Sequence, residues 1–207
     1  MNFDDEVDAL VAHVHANHLK PDAKLDHRGW PEIGAVVVDA VLQRRNSYEK
    51  VVRPRVDAVR AALPGPTTAD FLAFAESSEF DFLIDYKSDA RKAQMRQMAL
   101  VLSHLEIESV ADLARALSGE QSRASIRAEL WAIRGVGRKT LNYLGVLVGL
   151  DECAVDVHLR AFGRAAGLGS RHDAGWELVY REAAKRLNVP VGNLDGAVWR
   201  HQSRHGA

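Results

Sequence analysis

Trp131-Ala132-Ile133-Arg134-Gly135-Val136-Gly137-Arg138-Lys139-Thr140-Leu141-Asn142-Tyr143-Leu144 is the stretch on which the fold turns, and Ala154-Val155-Asp156-Val157-His158-Leu159-Arg160 follows it closely. Upstream, Ile126, Leu130, Trp131 and Ile133 recur at roughly helical spacing, and Gly135 interrupts the pattern as a helix C-cap does. Downstream, Leu141, Leu144, Val148 and Leu150 make a second apolar face. Gly135-Val136-Gly137 is too rich in glycine to continue a helix, and both glycines tolerate φ > 0, so the segment reads as a hairpin between two helices. Such a turn presents backbone N–H groups at a helix start, where the macrodipole also favours an anion, with Arg134 and Arg138 on either side. A phosphodiester suits that arrangement, and the contact would be blind to base sequence. A helical hairpin whose glycines only permit close packing accounts for the same residues.

Lys139 stands in the first turn of the second helix. There it either holds phosphate or, if the positive helix end and the neighbouring arginines depress its pKa, acts as a nucleophilic amine. Asp156 lies 17 residues further on and precedes the periodic stretch Val157, Leu159, Phe162 and Ala166, so it reads as a helix N-cap. A capping carboxylate can also stabilise an oxocarbenium-like sugar, as carboxylates do in glycoside hydrolysis.

The segments Ile133-Arg134-Gly135-Val136-Gly137-Arg138-Lys139-Thr140-Leu141 and Val155-Asp156-Val157-His158-Leu159-Arg160 resemble the helix-hairpin-helix DNA glycosylase superfamily, in its endonuclease III-like branch. That resemblance implies a Schiff-base lysine at Lys139 and an aspartate required for base excision at Asp156. It also places Trp30 to Gln43 on the family's early helix, with Gln43 entering the gap left by an extruded base, and makes Tyr86 the candidate wedge against the opposite strand. Arg44, Arg45, Arg134, Gly135, Val136, Gly137, Arg138 and Thr140 complete the implied DNA contacts. The likeness covers about residues 25 to 205. Relatives carry four C-terminal cysteines for a 4Fe-4S cluster, whereas this chain has only Cys153, so no cluster is expected, although a monovalent cation at the hairpin is compatible. Arg134 replaces the family's usual proline, and Leu141 a small residue.

Composition is consistent with this reading. A chain of 207 residues with 47% hydrophobic content can bury a full core in one or two units. No apolar run reaches transmembrane length, the acidic start is unlike a signal peptide, and one cysteine permits no internal disulfide; a cytoplasmic, nucleoid-associated monomer is expected. The net charge of −1 is uneven: residues 121–207 hold 13 Lys/Arg against 8 Asp/Glu, a net of +5, which leaves −6 for residues 1–120. Within that acidic part residues 41–60 are basic, with six Lys/Arg against Glu49 and Asp57. A focused basic face is all that phosphate binding needs, although solvated helix faces carry such runs too.

Periodicity predicts helices over 4–18, 31–44, 47–62, 68–76, 89–104, 109–118, 123–133, 139–149, 157–166, 173–187 and 194–204, and no clear strand. The expected fold is all-α: by resemblance, residues 25–149 form a central domain ending in the hairpin, residues 1–24 and 150–207 a second, and a DNA-binding cleft runs between them. The activity implied is a DNA glycosylase with AP lyase activity, acting on double-stranded DNA that carries damaged bases or abasic sites. A glycosylase that never forms the imine, and a non-catalytic helix-hairpin-helix DNA-binding protein, are the alternatives.

Overall fold

A computed structural model describes residues 2–21, 29–65 and 67–205. Among them the regular structure is entirely helical: α1 (Phe3–Ala16), α2 (Ile33–Leu42), a π-helical turn (Tyr48–Val52), α3 (Arg53–Ala62), α4 (Thr68–Ala75), α5 (Ser78–Ile84), α6 (Asp89–His104), α7 (Val110–Ser118), α8 (Glu120–Trp131), α9 (Arg138–Leu147), α10 (Val157–Ala165), α11 (Asp173–Arg186) and α12 (Val191–His205). The described residues fall into two compact units, 29–150 and 2–21 with 151–205. The domain boundary expected at 24/25 lies outside the described residues, and the one expected at 149/150 falls between 150 and 151.

In the unit 29–150, α2 runs through the core. All ten of its residues are buried, and nine of them are apolar or glycine. A helix that is apolar on every face has neighbours on every face, and α2 packs on α3, α6 and α9. Phe71, Phe80, Met95, Met98, Leu102, Leu130, Leu141 and Leu144 share that core. Full burial of side chains this size stabilises by about 1.5–3 kcal/mol each. Gly34 is where Phe71 lies against the backbone: a Cβ there would stand 2.5 Å from Phe71 Cδ2.

Two local features depart from the predicted elements. The expected helix 47–62 is two segments. It starts at Ser47, whose hydroxyl accepts from the Lys50 N–H at 3.4 Å, and it opens as a π turn in which Val52 N donates to Ser47 O at 3.3 Å. Pro54 brings no N–H to the first turn of α3, and the α-helical register begins there. The second departure is α5, absent from the predicted set. Ser77 caps it, with Oγ accepting from Phe80 N at 3.2 Å, and it buries Phe80 and Ile84, four residues apart. Seven residues are too few to give a periodic signal of their own.

The other unit joins both ends of the chain. Val7, Leu10 and Val14 form one stripe of α1, which packs on α11. Leu159, Phe162, Trp176, Val179, Tyr180, Leu194 and Val198 complete its core. The Tyr180 hydroxyl, buried with its ring, donates to Leu159 O at 2.7 Å. At the rim Arg186 pairs with Asp4 and Asp8, and Arg171 with Glu6, so α1 is held by charge as well as by burial.

Candidate functional site

The turn between α8 and α9 is tight. Ile133 and Val136 are buried, Val136 N donates to Ile133 O at 3.0 Å, and Gly135 sits at φ +88°. That φ lies in the left-handed region that L side chains avoid. A Cβ on Gly135 would also come within 2.2 Å of Gln94 Nε2, which donates to Arg134 O at 2.5 Å. Gly137 then takes the N-cap position of α9 with extended backbone and no side-chain cap, and open space surrounds the place where its Cβ would be. Arg134 and Arg138 are exposed. The side chains of Val136 and Thr140 are buried at 7% and 8% exposure, so they pack into the unit and leave only backbone to a ligand.

Lys139 is half-buried, and its ammonium donates to Gln43 Oε1 at 2.9 Å across 96 residues of sequence. Two residues singled out separately in the sequence are therefore in direct contact. Gln43 is the residue that ends α2, and its Nε2 is buried with no hydrogen-bond partner. A buried amide donor left unsatisfied costs about 1–3 kcal/mol, which offsets much of what the Lys139 hydrogen bond contributes at the other end of the same amide.

One helical turn from this contact, on both helices, lies a group that the sequence reading did not single out. Asp39, four residues before Gln43, is fully buried. It accepts hydrogen bonds from Trp30 Nε1 at 2.7 Å and Tyr48 OH at 3.3 Å on Oδ2, and from Tyr143 OH at 3.1 Å on Oδ1. Tyr143 is four residues after Lys139. Asp39–Tyr143 and Gln43–Lys139 are thus two rungs between α2 and α9. Burial pushes the Asp39 carboxyl up to about 6, against the opposing pull of its three donors. Burial, then the Asp39 charge, pushes the Tyr48 phenol up as well. The available signal was a lone charge inside an otherwise unbroken apolar run.

The turn after α2 carries Arg44 and Arg45, both exposed, with Arg45 at φ +62°. Arg44 Nη1 donates to Gly135 O at 3.3 Å, which ties this turn to the hairpin. Tyr86 is half-buried and held: Asn46 Nδ2 donates to its hydroxyl at 2.9 Å, and the Arg55 guanidinium lies 5.5 Å from its ring centre. The exposed aromatic of this region is Phe82 on α5, at 87% exposure.

Asp156 belongs to the other unit. It is the N-cap of α10, with Oδ1 accepting from His158 N at 2.8 Å and Leu159 N at 3.0 Å. The extended segment leading to it is fixed by buried Asp195, whose Oδ2 accepts from Ala154 N at 2.8 Å. Cys153 is buried beside it, and burial pushes its thiol well above the usual range, which keeps it an unreactive neutral group. His158 packs edge-on to Trp199 at 6.3 Å between ring centres, and Arg160 pairs with Asp173. Among the described residues there is no group of three His, Cys, Asp or Glu placed to hold a metal ion, and no helix is long and apolar enough to cross a membrane.

No curated protein matches the chain. One family model does, over residues 8–203: the chain belongs to the family described as Domain of unknown function (DUF8548).

Proposed function

We propose that this protein is a DNA glycosylase with AP lyase activity, that α8, the Gly135–Gly137 turn and α9 are a helix-hairpin-helix, and that the two units are its two domains. The single observation that carries the reading is the Lys139–Gln43 contact. It joins the residue expected to attack the sugar to the residue expected to fill the space of an extruded nucleotide. In this reading the Gly137-capped start of α9 takes a backbone phosphate, and exposed Arg134 and Arg138 add charge to it. Extrusion of a nucleotide costs a few kcal/mol and is easiest at a weakened pair. The unsatisfied Gln43 amide donor gains partners when it leaves Lys139 for the vacated base stack, which offsets the loss of the Lys139 hydrogen bond. Release from Gln43 also removes one hydrogen bond from the Lys139 amine.

The chemistry follows in balanced steps. The Lys139 amine, having given up a proton to solvent, attacks C1′ as the bond to the base breaks, and the base leaves with the electron pair and picks up a proton. The sugar ring opens to the imine. Loss of a C2′ proton then expels the 3′ phosphate by cleavage of the C3′–O bond, and water hydrolyses the imine to return the lysine. Asp156 carries the negative charge that supports base loss.

Borohydride trapping on a duplex with an abasic site tests this reading. A covalent adduct with the wild-type chain that is absent with Lys139→Ala supports it. Duplex binding with no adduct refutes the imine and leaves a glycosylase without lyase activity or a DNA-binding module.

A further inference from the structure

Eight arginines among the described residues are paired with a carboxylate, Arg171 and Arg186 on α11 and its approach being two of them. Arg53 meets Glu49 and Asp57, Arg60 meets Glu32, Arg96 meets Asp81, Arg115 meets Asp112, Arg160 meets Asp173, and Arg181 meets Glu152. Among the described residues Arg44, Arg45 and Arg91 have no carboxylate at ion-pair distance, and neither do Arg55, Arg134 and Arg164; Arg44, Arg45 and Arg91 are set apart because their charges bear on one another.

These three belong to one place in the unit 29–150. Arg44 and Arg45 form the turn after α2. Arg91, in the first turn of α6, donates to Val41 O at 3.1 Å, a carbonyl at the end of α2, and to Gln94 Oε1 at 3.1 Å. Gln94 in turn donates to Arg134 O at 2.5 Å, and Arg44 to Gly135 O at 3.3 Å. Three hydrogen bonds between elements, with the Arg91–Gln94 bond inside α6, therefore fasten the end of α2, the start of α6 and the hairpin turn together. The guanidinium groups are close enough that the charges of Arg44 and Arg45, after burial, lower the Arg91 pKa. Three like charges with no counter-charge are mutually destabilising unless an anion joins them.

Arg45 adds a backbone observation. Its φ of +62° is one that glycine or asparagine adopts readily and arginine does not, and its exposed side chain makes no hydrogen bond or ion pair among the described residues. Four other non-glycine residues share the left-handed region, so at Arg45 this backbone is an observation that accompanies the charge cluster and does not by itself mark a site.

We infer that Arg44, Arg45 and Arg91 form a phosphodiester-binding subsite, fastened through Gln94 and Arg44 to the hairpin turn so that the turn and the subsite grip the backbone of one DNA duplex as a unit. The inference rests on the DNA reading above. Each phosphate contact contributes about 0.9 to the slope of log affinity against log salt.

The test measures binding of the full-length chain to a fluorescein-labelled duplex with an abasic-site analogue, across a potassium chloride series. Arg45→Gly and Arg44→Gln/Arg45→Gly are compared with wild type, and Arg164→Gln on α10 is the control for loss of one exposed positive charge. Arg45→Gly relieves the left-handed φ, so its melting temperature is expected to equal or exceed that of wild type. The expected slopes are smaller by about 0.9 for the single variant and about 1.8 for the double, with no change for Arg164→Gln. Wild-type slopes in both arginine variants, or an equal drop in Arg164→Gln, overturn the subsite while leaving the DNA reading intact. A wild-type chain that does not bind the duplex at any salt overturns both.

Discussion

The Asp39 carboxyl makes a quantitative prediction. It is ionised above about 6 in the folded chain and near 3.8 when unfolded, with burial as the leading cause. The folded state therefore holds this proton more tightly than the unfolded state does. Below about pH 3.8 both states are protonated and the group does not bias folding. As pH rises from about 4 to 6 the unfolded chain ionises first, and stability falls with it. Above about 6 the loss is complete. Two pH units at about 1.4 kcal/mol each amount to about 3 kcal/mol. Asp39→Asn removes the titration while keeping a side-chain oxygen for Trp30 or Tyr143. Other carboxylates, such as Asp70 and Asp112, are lowered by their capping hydrogen bonds and act in the opposite direction. They are common to both proteins and cancel in the difference. Urea unfolding at half-unit steps from pH 4 to 8 measures that difference. Wild type should lose about 2.5 kcal/mol relative to Asp39→Asn between the ends of the range, since part of the loss already lies below pH 4, and most of it below pH 6.5. Tyr143→Phe, which removes one of the donors that lower the carboxyl, should move the midpoint upward. A difference constant to within about 0.5 kcal/mol across the range would refute a buried Asp39 that titrates near 6.

Other consequences follow from single contacts. Asp156→Ala should destabilise the chain by about 1 kcal/mol in urea unfolding, because two N–H groups of α10 lose their acceptor, and should abolish base release even where the fold survives. Gly135→Ala should cost about 1–2 kcal/mol through its φ of +88°, and Gln94→Ala in the same chain should recover only the steric part, as a double-mutant cycle reads. Gly34→Ala should cost about 1–3 kcal/mol, because its Cβ meets the ring of buried Phe71 at 2.5 Å, and thermal unfolding checks it. Gln43→Ala should leave borohydride trapping at a pre-formed abasic site largely intact and slow excision of a paired damaged base, since only the second needs the gap filled.

Much of the helical pattern was legible because amphipathic periodicity survives in single elements. Predicted 89–104 and observed α6 coincide, and ends elsewhere differ by a few residues. Short or irregular elements were not legible. α5 has too few residues for a period, and the π turn before Arg53 depends on a missing Pro54 N–H that hydropathy does not register. At the candidate site, glycine and lysine were conspicuous from their type and spacing, and so was the capping role of Asp156. The partnership of Gln43 with Lys139 spans 96 residues, which no local pattern encodes. Asp39 was overlooked because its three donors come from Trp30, Tyr48 and Tyr143, segments that meet only through tertiary packing. Tyr86 was the candidate wedge through the family resemblance alone, yet its hydroxyl is engaged by Asn46. Exposure, which favours Phe82, is a property of the folded surface alone.

The pairing of α1 with α11 sets an order of events during synthesis. Residues 29–150 contain all the elements of their own core, and they can condense while the rest of the chain is still being made. α1 is made before that unit, yet Val7, Leu10 and Val14 lack the cover of α11 until it arrives about 160 residues later. At a typical 5–20 residues per second that is a wait of about 10–30 s. During it an apolar stripe is exposed, with the acidic residues Asp4, Asp5, Glu6 and Asp8 around it. Asp4, Glu6 and Asp8, which later engage Arg186 and Arg171, keep the waiting helix charged, and charge favours its staying in solution. α1, made ahead of residues 29–150, is thus secured after them.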